Sequence, residues 1–445
     1  VIETAGFFVR FCLVGLYTFG AADSFVIHSL LLTLFNIWKH ETMLQKNPPA
    51  EPVAPLPALS DAGTIRLDAP FPPAALSEEA RAVLAAELAA QPLHLPPEAA
   101  ETAALAERLR AEFTVAEEAQ IVVGRADVLV ERLVFTAAAQ PEAVVLAAEP
   151  DFSGCRRAAE RLGLRYIGVP LKADFTPDVP AMLDALEKHN PALVYLAAPH
   201  NPTGVLPARE DVETVVRAAK GIVAIDEGFA EYGSGSFAAQ AGQPENLVVL
   251  QSLGSIGLAG LDIAFAAGSP ALVRKLAETL PPQGGISRLD GAAARFVLEH
   301  ADVGEQVQTL QNERARIANA LAEMEDVCVF HGSSGCVTAR FPNAETAFGA
   351  LAEQGIRVLN LNGAHPLLRH CLRLGIGTAE QNDEMLRVLG NVNSEYVLAK
   401  QSGLAAGSEA LARLNAGMAK SVLLAVTLFS LLSIWLVAHY FAQLG

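Results

Sequence analysis

The chain has 445 residues, of which 51% are hydrophobic, and its 49 acidic against 32 basic side chains give a formal net charge of −17. That length allows one large or two medium domains with a substantial core, and the acidic balance, without a basic stripe interleaved with aromatics, excludes a nucleic-acid partner. Five scattered cysteines without a CxxC pair and ten histidines without an HExxH argue against a disulfide framework or a metal site.

In chain order, residues 1–42 read as an N-terminal membrane segment. Gly6 to Trp38 is mostly apolar, with Arg10, Asp23 and His28 as exceptions. It fits either one tilted span with Asp23 near mid-depth or two short helices broken around Gly20–Ser24. Residues 43–63 form a Pro-rich linker whose NPPAEPVAPLP stretch is expected to be extended. Residues 394–419 read as a second, small-residue linker. Residues 420–445 hold a transmembrane helix: Ser421–Ala442 is a 22-residue apolar run with only His439 able to charge near neutral pH. Lys39, Lys46, Arg413 and Lys420 flank the two segments on the side of the middle domain. By the positive-inside tendency, that domain is expected to face the bacterial cytoplasm from the inner membrane, or the mitochondrial matrix.

Residues 64–393 carry a different pattern. Short apolar runs (Val144–Ala148, Tyr166–Val169, Leu193–Ala197, Ile222–Ile225, Leu247–Leu250, Ile263–Ala267) alternate with amphipathic stretches such as Cys155–Leu162, Pro180–Lys188 and Glu210–Ala219. Strand–helix–strand alternation predicts an α/β domain with a mainly parallel sheet covered on both faces. Its ligand site then lies at the carboxyl ends of the strands. The long helical stretch Gly304–Met324 and the runs Val327–Phe330 and Val337–Phe341 predict a smaller α/β domain over about 285–393.

Four motifs stand at or near strand ends: His200-Asn201-Pro202-Thr203-Gly204, Asp226-Glu227-Gly228-Phe229, the stretch Ser252 to Asp262 (SLGSIGLAGLD), and Cys371 to Thr378 (CLRLGIGT). Their order and spacing resemble the fold-type I pyridoxal-phosphate-dependent aminotransferases, most closely the histidinol-phosphate aminotransferases, over roughly residues 90–393. The resemblance implies a large domain, a small C-terminal α/β domain and a pyridoxal phosphate pocket. In that pocket Asn201 would bond the cofactor's ring oxygen, Asp226 would pair with the pyridine nitrogen and Phe152 would stack on the ring. Arg373 would hold a substrate carboxylate, and Ser252 opens the motif that normally carries the Schiff-base lysine.

This sequence departs from the family pattern at several of these positions. The lysine position falls on Gly254 or Ser255, depending on register, and no lysine lies between Lys220 and Lys275. The phosphate-binding arginine corresponds to Asp262. The phosphate-binding turn corresponds to Ala126-Asp127, with Arg125 as a single neighbouring cation. The tyrosine contributed by a partner subunit corresponds to Pro96, and the tyrosine that bonds the ring oxygen to Phe229. The expectation is therefore a non-catalytic, membrane-anchored accessory subunit of a larger membrane complex, of respiratory or ATP-synthase type. Its pocket would be vestigial and without cofactor, and its partners would be other membrane-protein subunits and the lipid bilayer. Two other readings stand beside it: an aminotransferase of the histidinol-phosphate type using pyridoxal or pyridoxamine phosphate, and an amino-acid sensor built on Arg373.

Overall fold

A computed structural model describes residues 63–69, 76–139, 142–230, 235–301 and 303–402. The two expected membrane segments lie outside these residues. Among the described residues no helix is long and apolar enough to cross a membrane.

The described strands form two sheets. The larger is built from β2 (Gln120–Arg125), β3 (Val144–Glu149), β4 (Arg165–Pro170), β5 (Leu193–Ala197), β6 (Ile222–Asp226), β7 (Leu247–Ser252) and β8 (Ile263–Gly268), in the order β2-β8-β7-β6-β5-β3-β4. From β7 through β4 every neighbour is parallel, whereas β8 runs antiparallel to both β7 and β2. The sheet is therefore mixed, with one reversed strand inside an otherwise parallel array. Apolar runs mark its strands because side chains alternate into two separate cores. On β5, Val194 and Leu196 enter one core while Leu193 and Tyr195 enter the other.

The smaller sheet has the order β1-β11-β12-β10-β9, from β1 (Ile65–Leu67), β9 (Cys328–Phe330), β10 (Cys336–Arg340), β11 (Ile356–Asn360) and β12 (Cys371–Gly375). Only β1 and β11 pair in parallel. A segment from the start of the domain thus completes a sheet made otherwise from its end. Apart from Leu67 of β1, its core comes from the later elements and includes Leu310, Ile317, Leu321, Val337, Leu372, Leu374 and Met385. The helix Val303–Ala322 joins both interiors, placing Val307 in a core of the large sheet and Leu310 in that of the small one.

The last helix, Ala379–Gln401, starts on a capping box formed by Thr378 and Gln381. It continues into the stretch 394–419 that was expected to be a linker. Polar contacts hold that extension in place. Tyr396 Oη donates to Asp326 at 2.6 Å, and Lys400 pairs with Glu325 at 2.8 Å and Asp326 at 2.6 Å.

Candidate active site

The carboxyl ends of β2, β3, β5, β6 and β7, with the start of the reversed β8, converge on one open pocket of about 260 Å3. Its lining brings together Phe152, Asn201, Asp226 and Ser252 with Ala126, Asp127 and Asp262, residues spread over more than a hundred positions of sequence. Strand reversal explains why Asp262, at the beginning of β8, shares an edge with residues that end their strands.

Asp226 sits at the end of β6. It accepts the Tyr195 hydroxyl at 2.5 Å and the Gly228 N–H at 2.8 Å. Burial pushes its carboxyl up from the usual range, and the two donors pull it back. Asp151, in the turn after β3, is raised to about 6 by burial, partly offset by hydrogen bonds from Ser153; the Asp226 and Glu149 charges add to the rise. Phe152 is 39% exposed and donates its N–H to the Asn201 carbonyl at 3.3 Å, tying the β3 and β5 turns together.

A second tie joins the same two turns, and the motif reading did not foresee it. His200 is buried, with Nε2 2.6 Å from the Pro150 carbonyl and Nδ1 2.6 Å from Thr203 Oγ1. The Pro150 carbonyl requires Nε2 to donate, and in the neutral ring Nδ1 accepts the Thr203 hydroxyl. Burial lowers its pKa to about 4. Both ring nitrogens are occupied, so His200 braces the turn that presents Asn201.

Ser252 ends β7 and leads into the buried 3-10 turn Leu253–Ile256. Its hydroxyl accepts the Gly254 N–H at 3.1 Å, and Ser255 Oγ donates to its carbonyl at 2.9 Å. Gly254 and Ser255 are thus folded inward and lie outside the pocket lining, which contains no lysine among the described residues. Arg373, on β12 of the small sheet, also lies outside that lining. It is 8% exposed, donates to the Asp68 carbonyl at 3.1 Å and stands 5.4 Å from the ring centroid of Phe229, a lining residue. Pro96 is placed elsewhere, its carbonyl accepting from Arg288 at 2.5 Å.

At the other end of the pocket, Asp262 holds Arg125 at 2.6 Å. Its own carbonyl accepts the Ala126 N–H at 3.3 Å, while the Asp127 carboxylate accepts the Val128 N–H at 2.8 Å. Two donors at the start of the helix Ala126–Ala137 are therefore engaged by acceptors of the chain itself. Asp262 does not stand as the isolated repulsive charge that its position suggested, because Arg125 neutralises it. Behind this corner Gly284, at φ +68°, packs so closely that a Cβ would meet the Val123 carbonyl oxygen at 2.1 Å.

The mixed large sheet, its site at the strand ends and the small accessory sheet define an aminotransferase-type α/β fold. Residues 63–389 match the family model for aminotransferase class I and II, and the chain belongs to that family. It is 41% identical over 328 residues to a histidinol-phosphate aminotransferase of Chromobacterium violaceum, covering 74% of this chain and 92% of that one. It is 39% identical over 305 residues to that of Neisseria meningitidis, covering 68% and 83%. Among solved structures, the histidinol-phosphate aminotransferase of Clostridium acetobutylicum aligns with a TM-score of 0.66 at 18% identity, over 74% of this chain and 99% of that one. The Sinorhizobium meliloti enzyme, solved with pyridoxal 5′-phosphate, aligns at 0.63 and 21% identity, over 75% and 91%.

These findings correct the functional expectation drawn from the sequence. The similar proteins are named for an enzymatic activity across most of the chain, which overturns the reading of a non-catalytic, cofactor-free subunit of a membrane complex. The inner-membrane placement is overturned with it: the relatives are named as histidinol-phosphate aminotransferases, and among the described residues no helix is long and apolar enough to cross a membrane.

Pyridoxal phosphate fits the residues present at one end only. Asp226, Asn201 and Phe152 supply a carboxylate, an amide and an aromatic face where a protonated pyridine ring would need them. No lysine lines the pocket among the described residues, and at the phosphate end Asp127 and Asp262 would meet the dianion with Arg125 already engaged.

Proposed function

We propose that this chain is an aminotransferase of the histidinol-phosphate type, working with pyridoxal phosphate or its amine form held by non-covalent contacts. The observation that carries the reading is the 41% identity over 92% of a relative so named. The Asp226–Tyr195 pair supports it. A half-buried carboxylate that accepts an O–H and an N–H can also stay charged beside a ring N–H. Asn201 is held for the ring oxygen by the braced turn, and Phe152 is exposed enough to lie against a ring. Arg373 supplies the cation for an anionic substrate group once Asp68 and Phe229 release it.

The test is direct. Purified chain, loaded with pyridoxamine phosphate or pyridoxal phosphate, is assayed for amino transfer between histidinol phosphate and a 2-oxo acid. Turnover that saturates with histidinol phosphate and is lost in Asp226→Ala supports the reading. Absence of amino transfer under both loading conditions overturns it.

A further inference from the structure

The turn that presents Asn201 is also held from the side of the small sheet, and we infer that Gly332 and Ser334, in the turn joining β9 to β10, are positioning residues for Asn201. The inference rests on the pyridoxal-class reading of the pocket proposed above. Ser333 donates its N–H to the Gly204 carbonyl at 2.9 Å. Gly332 packs on that same carbonyl, where a Cβ would come within 2.6 Å of the Gly204 carbonyl carbon. The φ of Gly332 lies outside the left-handed region, so close approach and not backbone conformation demands glycine there. The fit is reciprocal. Gly204, at φ +76°, has no room for a Cβ beside the hydroxyl of Ser334, which is fully buried.

Each turn is in turn tied to its own sheet. On the large-sheet side the Gly204 N–H donates to the His200 carbonyl at 2.7 Å, and the His200 ring is bonded to Pro150. On the small-sheet side Arg314 donates to the Ser334 carbonyl at 3.2 Å, and Ser334 Oγ lies 3.2 Å from Cys336 Sγ. The Ile376 N–H donates to the Gly335 carbonyl at 3.2 Å, joining the turn to the end of β12, the strand of Arg373. Beside these bonds Phe330, the last residue of β9, meets Phe175 edge-on at 4.7 Å between centroids, and Phe175 stacks on the His200 ring at 5.9 Å. Asn201 is thus seated between a brace from the large sheet and a turn of the small one, and that turn sets its place relative to Arg373. Hydrogen bonds weaken steeply with misalignment, so a shift of about 1 Å at Gly204 should be felt at the Asn201 amide.

Two measurements on the purified full chain test this. The first needs no ligand: in Gly332→Ala, amide hydrogen exchange over residues 200–205 should quicken at least about tenfold more than that of Leu193–Ala197 in β5. The second compares pyridoxamine 5′-phosphate with its analogue lacking the ring hydroxyl, by fluorescence titration. Gly332→Ala should weaken the hydroxylated ligand roughly tenfold, the scale of one hydrogen bond to a charged oxygen, and the deoxy analogue less than about twofold. In an Asn201→Ala background Gly332→Ala should cost nothing further. Ser334→Ala, a milder change that serves if Gly332→Ala does not fold, should act in the same direction by roughly threefold. The inference is overturned if residues 200–205 quicken no more than β5, if the variants weaken both ligands equally, or if the losses from Gly332→Ala and Asn201→Ala add. A wild-type chain that binds neither ligand counts against the proposed reaction, and the exchange ratio then decides the inference by itself.

Discussion

Tyr195 and Asp226 lie on neighbouring parallel strands, and the tyrosine hydroxyl reaches past the paired backbone to donate to the carboxylate at 2.5 Å. Tyr195 is 1% exposed, so this hydroxyl has no water to fall back on. Tyr195→Phe should therefore destabilise the fold by about 1–3 kcal/mol, the worth of a hydrogen bond to a charged group. A shift of the urea midpoint checks this. The same change should raise the Asp226 pKa further, because a donor that favours its charged form is gone.

Asp226→Asn tests the site more than the fold. The amide keeps the shape but cannot hold a negative charge beside a ring N–H. Amino transfer from histidinol phosphate should fall roughly 100-fold, with the far-ultraviolet circular dichroism unchanged.

Glu227, next in the chain, points the other way into a buried network. It accepts from Gln251 at 2.6 Å, from Ser236 at 2.5 Å and from the Phe237 N–H at 2.8 Å. Burial raises its pKa from 4.5 to about 7, against the pull of Ser236 and Phe237. A carboxyl raised in the folded state stabilises below its unfolded pKa, and that contribution is lost as pH rises through the folded value. Between about pH 4.5 and 7 this group should therefore remove about 3 kcal/mol, at about 1.4 kcal/mol per unit. Urea unfolding across that window should show the slope in the wild type relative to Glu227→Gln.

His200 contributes with the opposite sign. Its pKa falls from 6.5 to about 4 on folding, so its contribution is complete above pH 6.5 and is lost as pH falls toward 4. Asp151, raised to about 6 by burial, adds an opposing slope over part of that window, so the His200 contribution is read as a difference. The stability of the wild type relative to His200→Gln should rise between about pH 4 and 6.5 in urea unfolding.

Gly284→Ala should be among the most damaging small substitutions. Its Cβ would meet the Val123 carbonyl oxygen at 2.1 Å and the Gly124 Cα at 2.8 Å, both backbone atoms, at φ +68°. We expect a loss of about 2–4 kcal/mol in urea unfolding.

The parts of the fold that were legible in the sequence are those buried on both faces. Leu193–Ala197 stood out as an apolar run and is a strand over the same residues, because both of its faces enter cores. Gln120–Arg125 was missed, since its ends are polar and only two of its six residues are fully buried. Apolar runs carry no direction, so the reversal of Ile263–Gly268 could not be read from them. Site residues at strand ends were found by motif, but their pairings were not. Asp262 looked like an uncompensated charge because Arg125 is distant in sequence, and the altered positions taken together pointed to an emptied cofactor site. His200 and Glu227 lay within recognised motifs. Their bracing partners Pro150, Ser236 and Gln251 come from elsewhere in the chain.

The helix Val303–Ala322 has a mechanical consequence. Val307 and Leu310 are one turn apart, about 5 Å along the axis, yet they belong to the interiors of different sheets. The smaller sheet cannot melt without fraying this shaft, and a frayed shaft strips Val307 from the larger core. Heat should therefore undo both sheets in one cooperative event.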